Sequence, residues 1–137
     1  MYLLDTNVLS ALRRPDKAPA TLLAWASALP PETTCLSVVT LMELEHGILS
    51  LARRDAAQAA LLRQWLEGSI LPAFQGRVLD VDEQVARAAA RLMVSAPMPI
   101  NDVLIAATAR VHGLVVATRN VRDFERLDVA LLDPWAL

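Results

Sequence analysis

Apolar residues come in two rhythms along this chain. Short continuous runs, Tyr2-Leu3-Leu4, Cys35-Leu36-Ser37-Val38-Val39 and Leu114-Val115-Val116-Ala117, have the length and β-branched content of buried strands. Between them lie longer stretches with helical spacing. A short helix from about Asn7 to Arg14 is stopped by Pro15, and a second, Ala20 to Leu29, is closed by Pro30-Pro31. Thr40-Leu41-Met42-Glu43 has the form of a capping box, opening a helix with its stripe at Leu41, Leu44, Ile48 and Leu51. Asp55 with Gln58 starts another, carrying Leu62, Trp65 and Leu66, so these two helices form a hairpin joined at Arg53-Arg54.

Arg77 to Val81 is a short third strand candidate, and Asp82 caps a helix running to about Val94. After Pro97-Met98-Pro99, a helix from about Asp102 to His112 ends at Gly113. A short helix or turn around Val121 to Arg126 and a last edge strand, Val129 to Leu132, complete the pattern. Strands alternating with helices imply an α/β fold, a mostly parallel sheet covered on both faces, in a single domain spanning 1–137.

Composition narrows the function. With 55% hydrophobic and 20% charged residues, the chain builds a sizeable core. No apolar stretch reaches the ~20 residues of a membrane helix, and the N-terminus lacks the pattern of a signal peptide, so a cytoplasmic location is expected. Cys35 is the only cysteine, which excludes a disulfide framework or cysteine zinc site and suits a buried strand residue. Lys17 is the only lysine, against P-loop and Schiff-base chemistry. The net charge of −2 does not mark a strongly basic nucleic-acid binder, although a local basic rim is compatible with it.

Four acidic residues stand where apolar runs give way to helices: Asp5, Glu43, Asp102 and Asp123. Chain direction alone places Asp5, Glu43 and Asp123 beyond the carboxyl ends of strands, where open parallel sheets bind ligands. Asp102 opens a helix that is apolar almost all round and hence buried. Gathered together, such carboxylates repel by roughly 4 kcal/mol per pair at about 4 Å and an effective dielectric of 20. A cation must compensate, and oxygen ligands without histidine or cysteine suit Mg²⁺ or Mn²⁺. Such ions support phosphodiester cleavage by water.

Each carboxylate also has a capping explanation: Asp5 for the first helix, Glu43 in its box, Asp102 for its helix, and Asp123 three residues after Asn120. Capping does not explain why all four fall on one side of the sheet. Asp80, Asp82 and Glu83 fit capping with no such convergence. His46, in a Glu-x-x-His spacing with Glu43, and His112 at a helix end read as structural. Arg119 and Arg122 flank Asn120 and Asp123 at the cleft rim, where they could grip phosphates or simply be solvated.

Taken together, Tyr2 to Ser10 (with Asp5-Thr6-Asn7), Leu41-Met42-Glu43-Leu44, Asp102 to Ala109 and Val116 to Phe124 resemble the PIN-domain ribonucleases of the VapC toxin type, particularly the FitB-like branch. The resemblance implies a three-layer α/β/α PIN-like fold with a protruding helical hairpin. It implies an acidic metal pocket of Asp5, Glu43, Asp102 and Asp123, with Thr6, Thr118 and Asn120 in support. It further implies Mg²⁺- or Mn²⁺-dependent endonucleolytic cleavage of RNA, a small VapB-like antitoxin that blocks the cleft, and a homodimer. Asp133-Pro134-Trp135 resembles an Asn-Pro-Trp ending whose extra carboxylate lies outside the site.

Two other classes fit the residues less well. A receiver-like signalling module needs a lysine late in the chain, and Lys17 is far too early. The alternative is a non-catalytic interaction protein on the same scaffold, with the hairpin around Arg53-Arg54 as its contact surface; the intact acidic set argues against it, but such a scaffold can bind without cutting. The Trp65 and Leu66 stripe either meets a second copy in a dimer or packs on the body of its own domain.

Overall fold

A computed structural model describes residues 1–95 and 97–137. Among the described residues, strands β1 (Tyr2–Leu4), β2 (Thr34–Ser37), β3 (Val78–Leu79), β4 (Val115–Ala117) and β5 (Leu131–Leu132) form one sheet in the order β3-β2-β1-β4-β5. All four neighbouring pairs are parallel. From β1 the chain builds outward to β2 and β3, then crosses back to β4 and β5, so order reverses between β1 and β4.

Alternation of side chains along each strand creates the two faces. Leu3, Cys35 and Val116 are in register and point into one core, beneath α6 (Glu83–Ser95) and α7 (Ile100–His112). Leu4, Leu36 and Ala117 point into the other, covered by α1 (Thr6–Leu12), α2 (Ala20–Ala28), α3 (Val38–Ala52) and α4 (Ala56–Trp65). The result is a three-layer α/β/α fold. Asp55 caps α4 by accepting from the Gln58 amide at 3.1 Å, and Asp82 caps α6 by accepting from Val85 at 2.9 Å. Cys35 is a buried, free thiol of β2.

One expectation fails for a local reason, and one open alternative is settled by tertiary packing. The capping box at Thr40 does not form: Ser37 is the N-cap of α3, its hydroxyl accepting from the Val39 amide at 3.0 Å. Val38 and Val39, strand-like by composition, therefore make the first helical turn. Thr40 sits inside the helix, fully buried, with no partner for its hydroxyl among the described residues. Beyond α4, the chain continues through a π-helical turn, Leu66–Ile70, and the single turn α5 (Leu71–Ala73). This places Leu66 at 0% exposure and Trp65 against the same core. The stripe thus packs on its own domain, which removes the sequence argument for a dimer through it. Glu45 and Arg63 clasp the α3–α4 hairpin with a bidentate pair at 2.5 and 2.7 Å.

Helix α7 starts at Ile100, with Pro99 as N-cap, and ends at Gly113, whose φ of +66° is left-handed. No neighbouring atom approaches a Cβ built there. Gly113→Ala is therefore expected to cost only the conformational penalty, about 1–2 kcal/mol, read from the urea midpoint at unchanged m-value.

Candidate metal centre

Parallel strands carry their loops out at one edge, and the reversal point between β1 and β4 makes a crevice there. Asp5 and Thr118 follow these two strands directly, and the ladder runs one step further as the Asp5 amide donates to the Ala117 carbonyl at 2.9 Å. Asp5 is buried, 6% exposed. Its Oδ1 accepts from the Thr6 amide at 2.8 Å, capping α1, while Oδ2 accepts from the Thr118 hydroxyl at 2.8 Å and from Asn7 Nδ2 at 3.2 Å. Capping and site formation are thus one arrangement.

Glu43 lies more than a turn inside α3, too far along to cap it. Its Oε1 accepts from the Thr6 hydroxyl at 2.7 Å and its Oε2 from Asn101 Nδ2 at 3.5 Å. Neither Asn101 nor Asp102 caps α7. Asp102 stands half-buried in its first turn, and Asp123 is exposed on α8 (Val121–Phe124). Asn120 makes no side-chain cap of α8; its backbone amide instead donates to the Thr118 hydroxyl at 3.0 Å.

Electrostatics tie the four together. Asp102 is pushed up to about 6, first by burial and then by the charges of Asp5, Asp123 and Glu43. Burial also raises Asp5, helped by Glu43 and opposed by the hydrogen bonds from Thr118, Thr6 and Asn7. Among the described residues no ion pair involves any of the four; the pairs present join Arg63 to Glu45 and Glu67, Arg87 to Glu83, and Arg110 to Asp128. The cluster therefore carries uncompensated negative charge.

A hard divalent cation fits that donor chemistry: carboxylate oxygens, no basic partner, and a raised carboxyl that a positive charge would relieve. Among the described residues, however, no group of three or more His, Cys, Asp or Glu side chains is arranged so that it could hold one ion as it stands. His46 is exposed on α3 with Ser50 Oγ 3.4 Å from its Nε2, and His112 is exposed at the end of α7.

Of the supporting residues, Thr6 and Thr118 hold Glu43 and Asp5 directly, whereas Asn120 contributes only its backbone. Asn7 and Asn101 were missed as site residues. Asn7 bridges the crevice, donating to Asp5 and, at 3.3 Å, to Thr118, and accepting from the Arg119 amide at 3.2 Å. Its place in Asp5-Thr6-Asn7 was the available signal. The Arg119 guanidinium lies 5.4 Å from the Trp135 ring centroid and, among the described residues, makes no ion pair with the carboxylates. Arg122 is exposed on α8.

With this sheet order and crevice, the chain belongs to the PIN-domain family, which matches residues 2–130. Toxin FitB of Neisseria gonorrhoeae is 40% identical over 140 residues, covering 98% of this chain and 99% of FitB. VapC ribonuclease Y4jK of Sinorhizobium fredii is 39% identical over 142 residues, covering 98% of both. Among solved structures, FitAcB from Neisseria gonorrhoeae superposes with a TM-score of 0.91 at 40% identity over the whole of both chains. DNA-bound VapBC from Salmonella typhimurium gives 0.76 at 27% identity over 97% of each.

Proposed function

We propose that this chain is a metal-dependent endoribonuclease and the toxin of a toxin–antitoxin pair, on the FitB-like branch of the PIN domains. The observation that carries the reading is the gathering of Asp5, Glu43, Asp102 and Asp123 at one crevice, where burial and the neighbouring carboxylates raise the proton affinity of Asp102 and Asp5 and, among the described residues, no ion pair offsets the charge. Full-length relatives named as a ribonuclease and a toxin, at 39% and 40% identity, support it.

Asp5, Glu43, Asp102 and Asp123 would hold Mg²⁺ or Mn²⁺. Such an ion supplies charge compensation at the phosphate and makes water a better nucleophile near neutral pH. The chain's own groups set the stage. Thr118, Asn7 and the Thr6 amide fix both Asp5 oxygens, so that carboxylate is oriented before substrate arrives. Thr6 and Asn101 hold Glu43 across the crevice, placing it to orient a water or accept its proton at Oε1 or Oε2. Asp102 retains its proton below about pH 6 in the ion-free protein and must release it to bind a cation.

The partner would be a small VapB-like antitoxin covering the crevice; solved relatives include FitAcB and VapBC assemblies. A homodimer belongs to the same proposal, supported by exposed Met42 and Leu49 on α3. Among the described residues no helix is long and apolar enough to cross a membrane, which is compatible with a cytoplasmic location. The test is cleavage of a mixed RNA pool with Mg²⁺ or Mn²⁺, beside EDTA and Asp5→Asn controls. Asp5→Asn should cut about 10²–10³-fold more slowly. Undiminished cutting by that variant would sink the site assignment, and metal-independent cutting would sink the mechanism.

A further inference from the structure

Beside the acidic crevice lies a second cavity, of about 370 Å³, lined by Asn7, Ser10, Arg14, Lys17, Arg119 and Trp135 among others. Its charge is opposite to that of the crevice. Arg14, Lys17 and Arg119 are exposed, and none of them forms an ion pair among the described residues. The chain's single lysine and the Asp133-Pro134-Trp135 ending, neither of which the metal centre uses, both meet here.

The Trp135 ring in the wall of this cavity is held in place. Trp135 packs against the apolar core under α1 and α2, and its backbone amide donates to Asp133 Oδ1 at 2.9 Å. Asp133 thereby spends one carboxylate oxygen on the turn that presents the indole. Arg119 stacks its guanidinium toward the indole instead of neutralising the nearby carboxylates. Asn7 is the shared wall: its amide nitrogen holds Asp5 and Thr118, and its oxygen receives the Arg119 amide.

The geometry points to a nucleotide subsite: Arg14, Lys17 and Arg119 grip backbone phosphate next to the scissile one while a base stacks at Trp135. This rests on the ribonuclease reading of the crevice. A polyanion lying across Asp5 needs a cation at the cut phosphate and ordinary basic side chains at its neighbour, and that is the charge sequence along this wall. A flat aromatic platform beside a guanidinium serves any base, because every base offers a π-face. An acidic peptide would use the three cations but has no group that requires the ring or continuity with Asp5.

The test is anisotropy binding of a labelled single-stranded RNA of mixed sequence to the full chain in EDTA over a salt series, beside kcat and KM for the same RNA with Mg²⁺. Arg14→Gln with Lys17→Gln should weaken binding about tenfold and flatten the log–log salt slope by about 1.4, two phosphate contacts at ~0.7 each. Trp135→Leu should also weaken binding about tenfold, with the slope unchanged, and Trp135→Phe should restore most of the loss. Both disruptive variants should raise KM and leave kcat within about twofold. The arginine–lysine variant alters only exposed side chains, so it decides the matter even should Trp135→Leu fail to fold.

Binding that follows this pattern without any cleavage by the parental protein upholds the subsite and removes the nuclease reading. Cleavage with unchanged KM, affinity and salt slope in the variants overturns the subsite and leaves the nuclease standing. A loss confined to kcat overturns it too, as would unchanged RNA affinity together with loss of an acidic protein partner.

Discussion

Asp102→Asn should remove about 10²–10³-fold of the cleavage rate and at the same time make the ion-free protein more stable at neutral pH. The stability gain follows from linkage. The carboxyl of Asp102 rises from 3.8 to about 6 on folding, so the folded state binds this proton more tightly than the unfolded chain does. The stabilisation is fully present below about pH 4, and is lost as pH rises through about 6 and the folded protein must surrender the proton. Direct conversion of that shift gives about 3 kcal/mol. Because Asp102 is only half-buried, solvent screening reduces the expectation to ~1 kcal/mol.

Asparagine keeps the shape without the charge, so the variant should melt higher than the parent in EDTA at pH 7.5 and match it near pH 4. Added Mg²⁺ should raise the melting temperature of the parent, since a ligand that binds the folded state stabilises it, and should move the variant much less. Equal melting curves for both proteins across this pH range would mean that neither burial nor Asp5, Asp123 and Glu43 burden the Asp102 carboxylate, and the charge argument for a cation would go with them.

That argument was largely legible in the chain, because it depends on direction more than on packing. Once Tyr2–Leu4 and Val115–Ala117 are parallel strands, Asp5 and Thr118 must leave the same edge, and no side-chain detail is needed. The stops at Pro30-Pro31 and Gly113, and the caps at Asp55 and Asp82, are equally local; each satisfies or breaks its own backbone. Part of what escaped was decided by a choice between competing local caps, and the rest by partners far away in sequence. Val38-Val39 reads as strand until the Ser37 hydroxyl takes the Val39 amide, and Glu43 reads as half of a capping box until Thr6, 37 residues earlier, is seen to hold it. Leu66 turns inward only because a π-helical turn follows Trp65, and no propensity announces that turn. Asn7 and Asn101 look like ordinary helix-start residues, and their roles exist only once the crevice has closed around them.

Thr118→Val is the sharpest test of how far these supports matter. The substitution is nearly isosteric, yet this one hydroxyl donates to Asp5 Oδ2 at 2.8 Å and accepts from Asn7 at 3.3 Å and from the Asn120 amide at 3.0 Å. Thr118 is fully buried, so water does not readily replace those bonds. Leaving such partners unsatisfied should cost about 1–3 kcal/mol in urea unfolding. Loss of a group that orients a metal-holding carboxylate should weaken divalent-ion affinity by about 10–100-fold. Removing the donor also raises the proton affinity of Asp5, since that hydrogen bond now opposes the effect of burial. The ion requirement of cleavage should consequently move to higher Mg²⁺ and higher pH, with the rate at saturating ion largely recovered. Thr118→Ser keeps the hydroxyl and should restore both ion affinity and pH profile, although it leaves a methyl-sized gap. A Thr118→Val protein that lost stability but titrated with Mg²⁺ like the parent would reduce the hydroxyl to a packing role and separate Asp5 from the ion.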